Sequence, residues 1–242
     1  MNRGPEGGPA QVRRERRRAE ERLAILRAAA GVFRGRGYAR AGMREIALAA
    51  GLSAANLYHY FASKDEILSF CQHRALDQLH SNLEAARRAR GPVGARLREL
   101  ARAHVLCLIR EVEGGSAHFE VDALPSGLRE AVVAKRDRYE LGVRGLVALG
   151  IRRGELWSGE PALAARGFLG AVNWTAHWFR PGGDLSAERV AQHVAEYAVA
   201  GLLARDGTGA RRVRRAGAPA GRRTRPGAVA GRRGMRGREV ED

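Results

Sequence analysis

Cysteine, lysine and long apolar runs are scarce in this chain of 242 residues. Its two cysteines, Cys71 and Cys107, are too few for a disulfide framework, which indicates a reducing compartment. The longest apolar runs, 103–109 and 197–204, fall far short of the roughly 18 residues that a membrane span needs. No apolar segment follows the N-terminal arginines, so no secretory signal is predicted. We therefore expect a cytoplasmic protein with no membrane partner.

Acidic residues are also in the minority, and this imbalance indicates the kind of partner. The 26 Asp and Glu stand against 43 Lys and Arg, which gives a formal net charge of +17. Lys64 and Lys135 are the only lysines, so arginine supplies nearly all of the positive charge. Residues 205–242 carry 12 Arg and 4 acidic residues, and residues 1–22 carry 7 Arg and 4 Glu. Such a balance favours a polyanionic partner, most simply nucleic acid.

The two chain ends are predicted to be disordered. The segment 205–242 is rich in Arg, Gly and Ala and has almost no large apolar side chain, so it cannot bury enough surface to fold. Two interpretations of it stay open: a sequence-independent grip on DNA phosphates, or an extension that reflects only coding bias. Residues 1–18 form a shorter basic arm. Between them we expect a head at 19–63 and a larger domain at 64–204.

The body is predicted to be all-α, because alternating β-branched runs are absent and Ala and Leu dominate. Leu23, Leu26, Ala30 and Phe33 recur on one helical face. A capping box at Ser63–Glu66 predicts a long helix to about residue 88, which Gly91-Pro92 ends. Further helices are expected over about 43–50, 54–60, 93–112 and 126–153, from Pro161 to about 180, and from Ser186 to about 203.

One motif in the head is specific enough to indicate a function. Residues 43–64 have the sequence MREIALAAGLSAANLYHYFASK. Ala47 is small enough for two helices to cross closely, Gly51 permits a left-handed turn, and Ser53 caps the helix that follows. This spacing predicts a helix-turn-helix, and its second helix, at about 54–60, is short enough to lie in the major groove of DNA.

The longer string in which this motif stands resembles the TetR family of bacterial repressors. Ile25-Leu26, Phe33 and Gly37-Tyr38 precede the motif, and Leu57-Tyr58, Tyr60-Phe61 and Ser63-Lys64 complete it. The resemblance implies an all-α homodimer with an N-terminal three-helix helix-turn-helix DNA-binding head and a C-terminal helical-bundle domain for ligand binding and dimerisation. It also implies a palindromic operator, and a small-molecule effector whose binding moves the fourth helix and separates the two heads.

By position, the resemblance also assigns contacts to double-stranded DNA. They are Arg44 on the second helix; Ser53, Ala54, Ala55, Asn56, Tyr58 and His59 on the recognition helix; and Tyr58 and Lys64 as phosphate contacts. The family usually has Ser or Thr at the start of the second helix, where this chain has Ala41-Gly42. With alanines at 54 and 55, Asn56, Tyr58 and His59 are expected to supply most of the base contacts.

The C-terminal half is less specific. Trp174, Trp178 and the following FRPGG segment are similar to a TetR branch whose members often respond to acyl-CoA thioesters. Expected dimer contacts are Gly167, Gly170, Trp174, Val190, Val194 and Tyr197. Candidate lining residues of an effector pocket are Leu79, Leu83, Val105, Ile109, Phe119, Arg136, Tyr139, Arg144, Trp174 and Trp178. Plain core packing is the alternative for each apolar residue, and packing or the dimer interface is the favoured alternative for the two tryptophans.

Signatures of catalysis are missing. No HExxH, GxSxG or phosphate-binding glycine motif occurs, and the seven histidines have no Cys or carboxylate partners at metal-ligand spacing. We therefore expect no enzyme activity, no metal and no cofactor. Two alternatives to a ligand-controlled repressor remain: a sequence-independent nucleic-acid binder driven by 205–242, and an all-α enzyme that uses His or Glu of the central bundle.

Overall fold

The computed structural model describes residues 8–110 and 120–204, and over these ranges the chain forms eight α-helices. They are α1 (Pro9–Arg36), α2 (Met43–Ala49), α3 (Ala54–Tyr58), α4 (Lys64–Arg88), α5 (Val93–Arg110), α6 (Ser126–Arg152), α7 (Pro161–Trp178) and α8 (Ala187–Ala200). A 3₁₀ turn, Glu120–Ala123, precedes α6. Apart from an isolated bridge between Leu156 and Leu203, the described residues contain no β-pairing. The predicted all-α fold is confirmed.

The first helix begins much earlier than the sequence suggested. We expected residues 1–18 to be a disordered arm, but α1 starts at Pro9, so this expectation is wrong for 9–18; residues 1–7 lie outside the described part. Proline suits the first helical position, and Ala, Arg, Glu and Gln all favour helix. Side-chain pairs one turn apart add support: Gln11 donates to Glu15, Arg16 pairs with Glu20, and Arg17 pairs with Glu21.

The head packs α1, α2 and α3 around one small core. Its fully buried side chains include Ile25, Phe33, Ile46, Leu57 and Phe61. Gly37 ends α1 with φ 76°, a conformation that side chains disfavour, and its N–H donates to the Phe33 carbonyl. The apolar face predicted for the first helix contributes Leu26, Ala30 and Phe33 to this core.

Helix α4 runs from the head into the larger domain and contributes buried residues to the cores of both. Ser63 caps it by accepting a hydrogen bond from the Glu66 N–H at 3.2 Å, as predicted. Ile67 and Leu68 are buried at the end of α4 nearest the head, and Leu76, Leu79 and Leu83 are buried further along. At Gly142 of α6 a β-carbon would collide with Leu83, so glycine is what lets α4 and α6 approach this closely. A single continuous helix thus links the two cores.

Helix α5 lies at the centre of the larger domain, against α4, α6, α7 and α8. Its buried residues span about half of its circumference, which is wider than the single apolar stripe of a surface helix. None of the described helices is long and apolar enough to span a bilayer.

Candidate nucleic-acid interface and effector cavity

The second and third helices form the predicted helix-turn-helix. Ala47 is buried where α2 packs on the head, and Gly51 occupies the turn with φ 68°. The Ser53 hydroxyl accepts a hydrogen bond from the Asn56 N–H at 3.1 Å and so caps α3. At the start of α2, Gly42 offers no side-chain cap, but its N–H donates to the Glu45 carboxylate at 3.2 Å. Because this chain has Ala41-Gly42 where the family usually has Ser or Thr, the start of α2 has no side-chain cap from the preceding residue. It also has no hydroxyl that could contact DNA.

One face of this unit is open to solvent, and we call it the recognition face. It comprises Arg44, Ser53, Ala54, Ala55, Asn56, Tyr58 and His59. Ala54 is half-buried and the others are exposed. The Tyr58 side chain is 55% exposed although aromatic rings are usually buried. An amide, a phenol, an imidazole and a guanidinium on one exposed surface can contact both phosphates and base edges. Leu48, 82% exposed on α2, lies one turn from Arg44, and the sequence patterns did not single it out.

Lys64 stands apart from this face, and the structure gives it a different role from the expected phosphate contact. Its ammonium donates three hydrogen bonds, to the carbonyls of Tyr38, Ala39 and Ala41, at 3.0, 3.1 and 3.2 Å. The nitrogen also lies 4.7 Å from the centre of the Tyr38 ring. An ammonium has only three N–H groups, so all of its donors are used within the head. Lys64 fastens the loop between α1 and α2 to the start of α4.

Two further polar links tie the helices of the head together. The Tyr38 hydroxyl donates to Asp65 at the start of α4, and the Tyr60 hydroxyl donates to Glu21 on α1. The bond to Tyr60 lowers the pKa of Glu21, and the same bond raises the pKa of Tyr60. The guanidinium of Arg22 lies over the rings of Phe61 and Phe70, at 4.5 and 4.3 Å. These contacts fix α1 and α4 relative to the end of the recognition helix.

A cavity of about 430 Å³ lies in the larger domain among α4, α5, α6 and α7. This volume is near the lower end of the range for small-molecule pockets. Its lining is Leu76, Leu79, His104, Arg136, Asp137, Tyr139, Glu140, Arg166, Leu169, Gly170 and Asn173. Leucines form the apolar part, whereas charged side chains surround the remainder, and Arg166 pairs with Glu140 at 3.0 Å. The arrangement suits a ligand with an apolar group and a polar end.

His104 organises the polar part of the cavity. Its Nε2 lies 2.9 Å from Asn173 Oδ1, and its Nδ1 lies 3.0 Å from the Tyr139 hydroxyl. Burial lowers the pKa of His104 to about 4, so the ring is neutral at pH 7. Nε2–H then donates to Asn173 while Nδ1 accepts from Tyr139. Burial also raises the pKa of Tyr139, which keeps its hydroxyl protonated. Asn173 therefore retains its amide N–H groups as donors for a ligand.

The predicted pocket residues divide into several groups. Leu79, Arg136 and Tyr139 line the cavity, and Arg136 donates to Gln72 at 3.0 Å. Leu83 and Val105 are buried and do not line this cavity. Ile109 is half-buried outside the lining, and Arg144 is exposed. Phe119 lies outside the described residues.

The sequence patterns missed two polar residues of the cavity, His104 and Asn173. His104 and Asn173 stand 69 positions apart on different helices, so no local spacing connects them. The available signal was a lone histidine on an apolar helix.

The last two helices present an unusually apolar exposed face, which we call the α7–α8 face. Its large members are Leu163, Trp174, Trp178 and Tyr197, with exposed fractions of 67%, 62%, 44% and 81%. Both tryptophans are thus at the surface and not in the cavity. A β-carbon at Gly167 or Gly170 would meet nothing within 4 Å. Monomeric soluble proteins rarely expose apolar patches of this kind.

Two of the residues predicted for the dimer interface, Val190 and Val194, are not exposed as the others are. Val190 is buried in the protomer's own core, because it lies on the side of α8 that faces the bundle, so its assignment to an exposed interface is wrong. Val194 is half-buried against the same core.

Across the described ranges, no group of three or more His, Cys, Asp or Glu side chains is placed to hold a metal ion.

Comparison with known families matches both parts of the chain. Residues 25–69 match the model for bacterial regulatory proteins of the tetR family, and residues 90–202 match the model for the tetracyclin repressor-like C-terminal domain. The HTH-type transcriptional repressor KstR2 of Rhodococcus jostii is 27% identical over 190 residues, which cover 75% of this chain and 90% of that protein.

Solved structures agree with this. The TetR family transcriptional regulator PfmR of Thermus thermophilus is 32% identical with a TM-score of 0.67, over 73% of this chain and 97% of that one. AibR, solved in complex with isovaleryl coenzyme A and operator DNA, is 27% identical with a TM-score of 0.62 over the same shares.

Proposed function

This chain belongs to the TetR family of bacterial regulatory proteins and is a DNA-binding transcriptional regulator; from that premise we propose that it is a homodimeric repressor released by a small acyl-bearing effector. The recognition face carries the proposal, since its polar and aromatic side chains are exposed on α2 and on the recognition helix that Ser53 caps. We assign 19–63 as the head and 64–204 as the regulatory domain. Such a regulator acts on bacterial DNA, so we place it in the cytoplasm and assign it no catalytic role.

The α7–α8 face supports the dimer. Gly167 and Gly170 have open space beside them on α7, and Trp174 and Tyr197 are large exposed side chains of α7 and α8. Two copies related by a twofold axis would bury this face in a four-helix interface. A symmetric dimer presents two recognition helices, so its operator is a palindrome with half-sites about one helical turn apart or a multiple of it.

The cavity supports an effector with an apolar group and a hydrogen-bond acceptor. Leu76, Leu79 and Leu169 can cover a short acyl chain, and the Asn173 amide can donate to its carbonyl oxygen. The cavity is too small for a whole coenzyme A, so the nucleotide would lie outside it. Arg136 and Arg166 are the cations among the lining residues and could bind its phosphates. An acyl-CoA thioester, the class bound by AibR, is therefore the effector we propose.

Helix α4 supports the coupling between the two sites. Leu76 and Leu79 form part of the cavity wall, while Lys64 and Asp65 of the same helix are bonded to the head. An effector that binds one position of α4 more tightly than the other shifts the population of the DNA-binding form.

Selection of bound duplexes from random DNA tests the proposal. The full chain and residues 1–204 would each be used at near-physiological salt. We expect both to select the same palindrome, and acyl-CoA thioesters to release it. If neither selects a sequence and binding is lost without 205–242, the protein is instead a sequence-independent binder driven by that segment, and the repressor proposal fails.

A further inference from the structure

The first three turns of α1 make no contribution to the core of the head. Every described side chain from residue 10 to residue 20 is exposed, and the first half-buried one is Glu21. We call Pro9–Glu20 the α1 arm. At 1.5 Å per residue it is roughly 18 Å long. Unpacked helices are only marginally stable in water, so a helical arm of this length favours a role in contact with a partner.

The composition of the α1 arm defines the chemistry of that partner. Five arginines, Arg13, Arg14, Arg16, Arg17 and Arg18, stand against the carboxylates of Glu15 and Glu20. Val12 is its one large apolar side chain. An apolar partner would find almost nothing to bury, whereas a row of phosphates would find several guanidiniums.

The base of the α1 arm lies next to the end of the recognition helix. Glu21, at its base, accepts a hydrogen bond from Tyr60, two residues after the recognition helix ends. Arg17 and Arg18 lie close enough to Tyr60 to act on its hydroxyl electrostatically. Arg14 and Arg18 stand one turn apart, on the side of α1 that continues Arg22 and Ile25, the side that packs on the head. The cationic side of the α1 arm is therefore continuous with the end of the recognition face.

We propose that the α1 arm is a second DNA-binding element, in which Arg14 and Arg18 contact the phosphate backbone that flanks the major groove occupied by α3. This inference rests on the proposed function, because it needs the recognition helix in that groove. It adds affinity and lengthens the site without adding base specificity, since phosphates carry no sequence information.

The test compares two variants of the full chain that lose the same charge. Arg14→Gln/Arg18→Gln removes two exposed arginines of the α1 arm, and Arg129→Gln/Arg138→Gln removes two exposed arginines of α6. Glutamine has a helix propensity close to that of arginine, and circular dichroism checks that helix content is kept. The probe is the duplex selected by the wild-type chain, and its dissociation constant is measured over a series of salt concentrations.

We expect the α1-arm variant to reduce the slope of log K against log salt by about 1.8, or about 0.9 for each lost phosphate contact. Its binding at near-physiological salt should weaken roughly tenfold or more, and hydroxyl-radical footprints should lose protection only at the flanks of the site. The α6 variant should match the wild type. A wild-type slope and footprint for the α1-arm variant would overturn this proposal alone, whereas failure of the wild type to select any duplex would overturn the proposed function.

Discussion

Replacing Lys64 with methionine separates a structural role from a DNA contact. The substitution keeps much of the apolar stem and removes three hydrogen bonds, to the carbonyls of Tyr38, Ala39 and Ala41. Hydrogen bonds to a charged group contribute about 1.5–3 kcal/mol, and here one half-buried ammonium serves all three acceptors. We therefore expect a loss of about 2 kcal/mol in the free energy of unfolding, which lowers the melting temperature by roughly 4–8 °C for a chain of this size.

The salt dependence of DNA binding gives the second half of the test. Because the donors of Lys64 are used inside the head, Lys64→Met should leave the slope of log K against log salt unchanged. Arg44→Ala is the matched control: its side chain is exposed on the recognition face, so stability should be kept while the slope falls by about 0.9. A Lys64→Met chain with wild-type stability and a slope reduced by about 0.9 would refute this reasoning and restore the phosphate contact.

Three further predictions concern the recognition face, the dimer and pH. Asn56→Ala and Tyr58→Ala should each weaken binding to the selected duplex. The asparagine variant should also lose about 1–3 kcal/mol of discrimination between this duplex and one in which the base pair contacted by Asn56 is changed. Equal affinities for wild type and Tyr58→Ala would contradict the placement of the recognition helix. Trp174→Glu/Tyr197→Glu should convert the dimer to a monomer in analytical ultracentrifugation, since it places charge on the exposed apolar face; a dimer that survives would place the interface elsewhere. The folded-state pKa of His104, about 4, is below the unfolded value near 6.5, so the unfolded chain binds the extra proton and stability falls as pH drops from 6.5 towards 4. Between about pH 7 and pH 5 this one group should account for about 2 kcal/mol of the loss measured by urea unfolding, and His104→Gln should remove that share.

Local patterns were enough to predict most helices and the position of the recognition helix. Ser63 and Glu66, Pro161 and Ser186 act at the ends of their own helices, so neighbouring residues carry the whole signal. The exposed Asn56 and Tyr58 were also identified, through the resemblance of the motif to a known family.

The remaining features depend on contacts between distant segments. His104 meets Tyr139 and Asn173 only after three helices have packed, and Lys64 meets carbonyls more than 20 positions away. A helical period also cannot tell which side of α8 faces the protomer's own core, which is why Val190 was assigned to the wrong side. The α1 arm was missed for the opposite reason: charge suggested disorder, while helix propensity and one-turn ion pairs favoured a helix.

The energetics of release set a requirement on the effector that can be tested directly. Moving a two-state protein from about 99% to about 1% of its DNA-binding form needs about 5.5 kcal/mol of differential binding. A four-carbon apolar group buried against Leu76, Leu79 and Leu169 supplies about 3 kcal/mol at ~0.8 kcal/mol per carbon, which is roughly a hundredfold. The rest must come from polar contacts, inside the cavity at Asn173 or at its rim. We therefore expect a short branched free acid to weaken binding to the selected duplex by at most about a hundredfold, the matching CoA thioester to weaken it further, and Asn173→Leu to reduce both effects. Equal release by acid and thioester in a fluorescence-anisotropy titration would show that nothing outside the cavity contributes, and would contradict a coenzyme A ester as the effector.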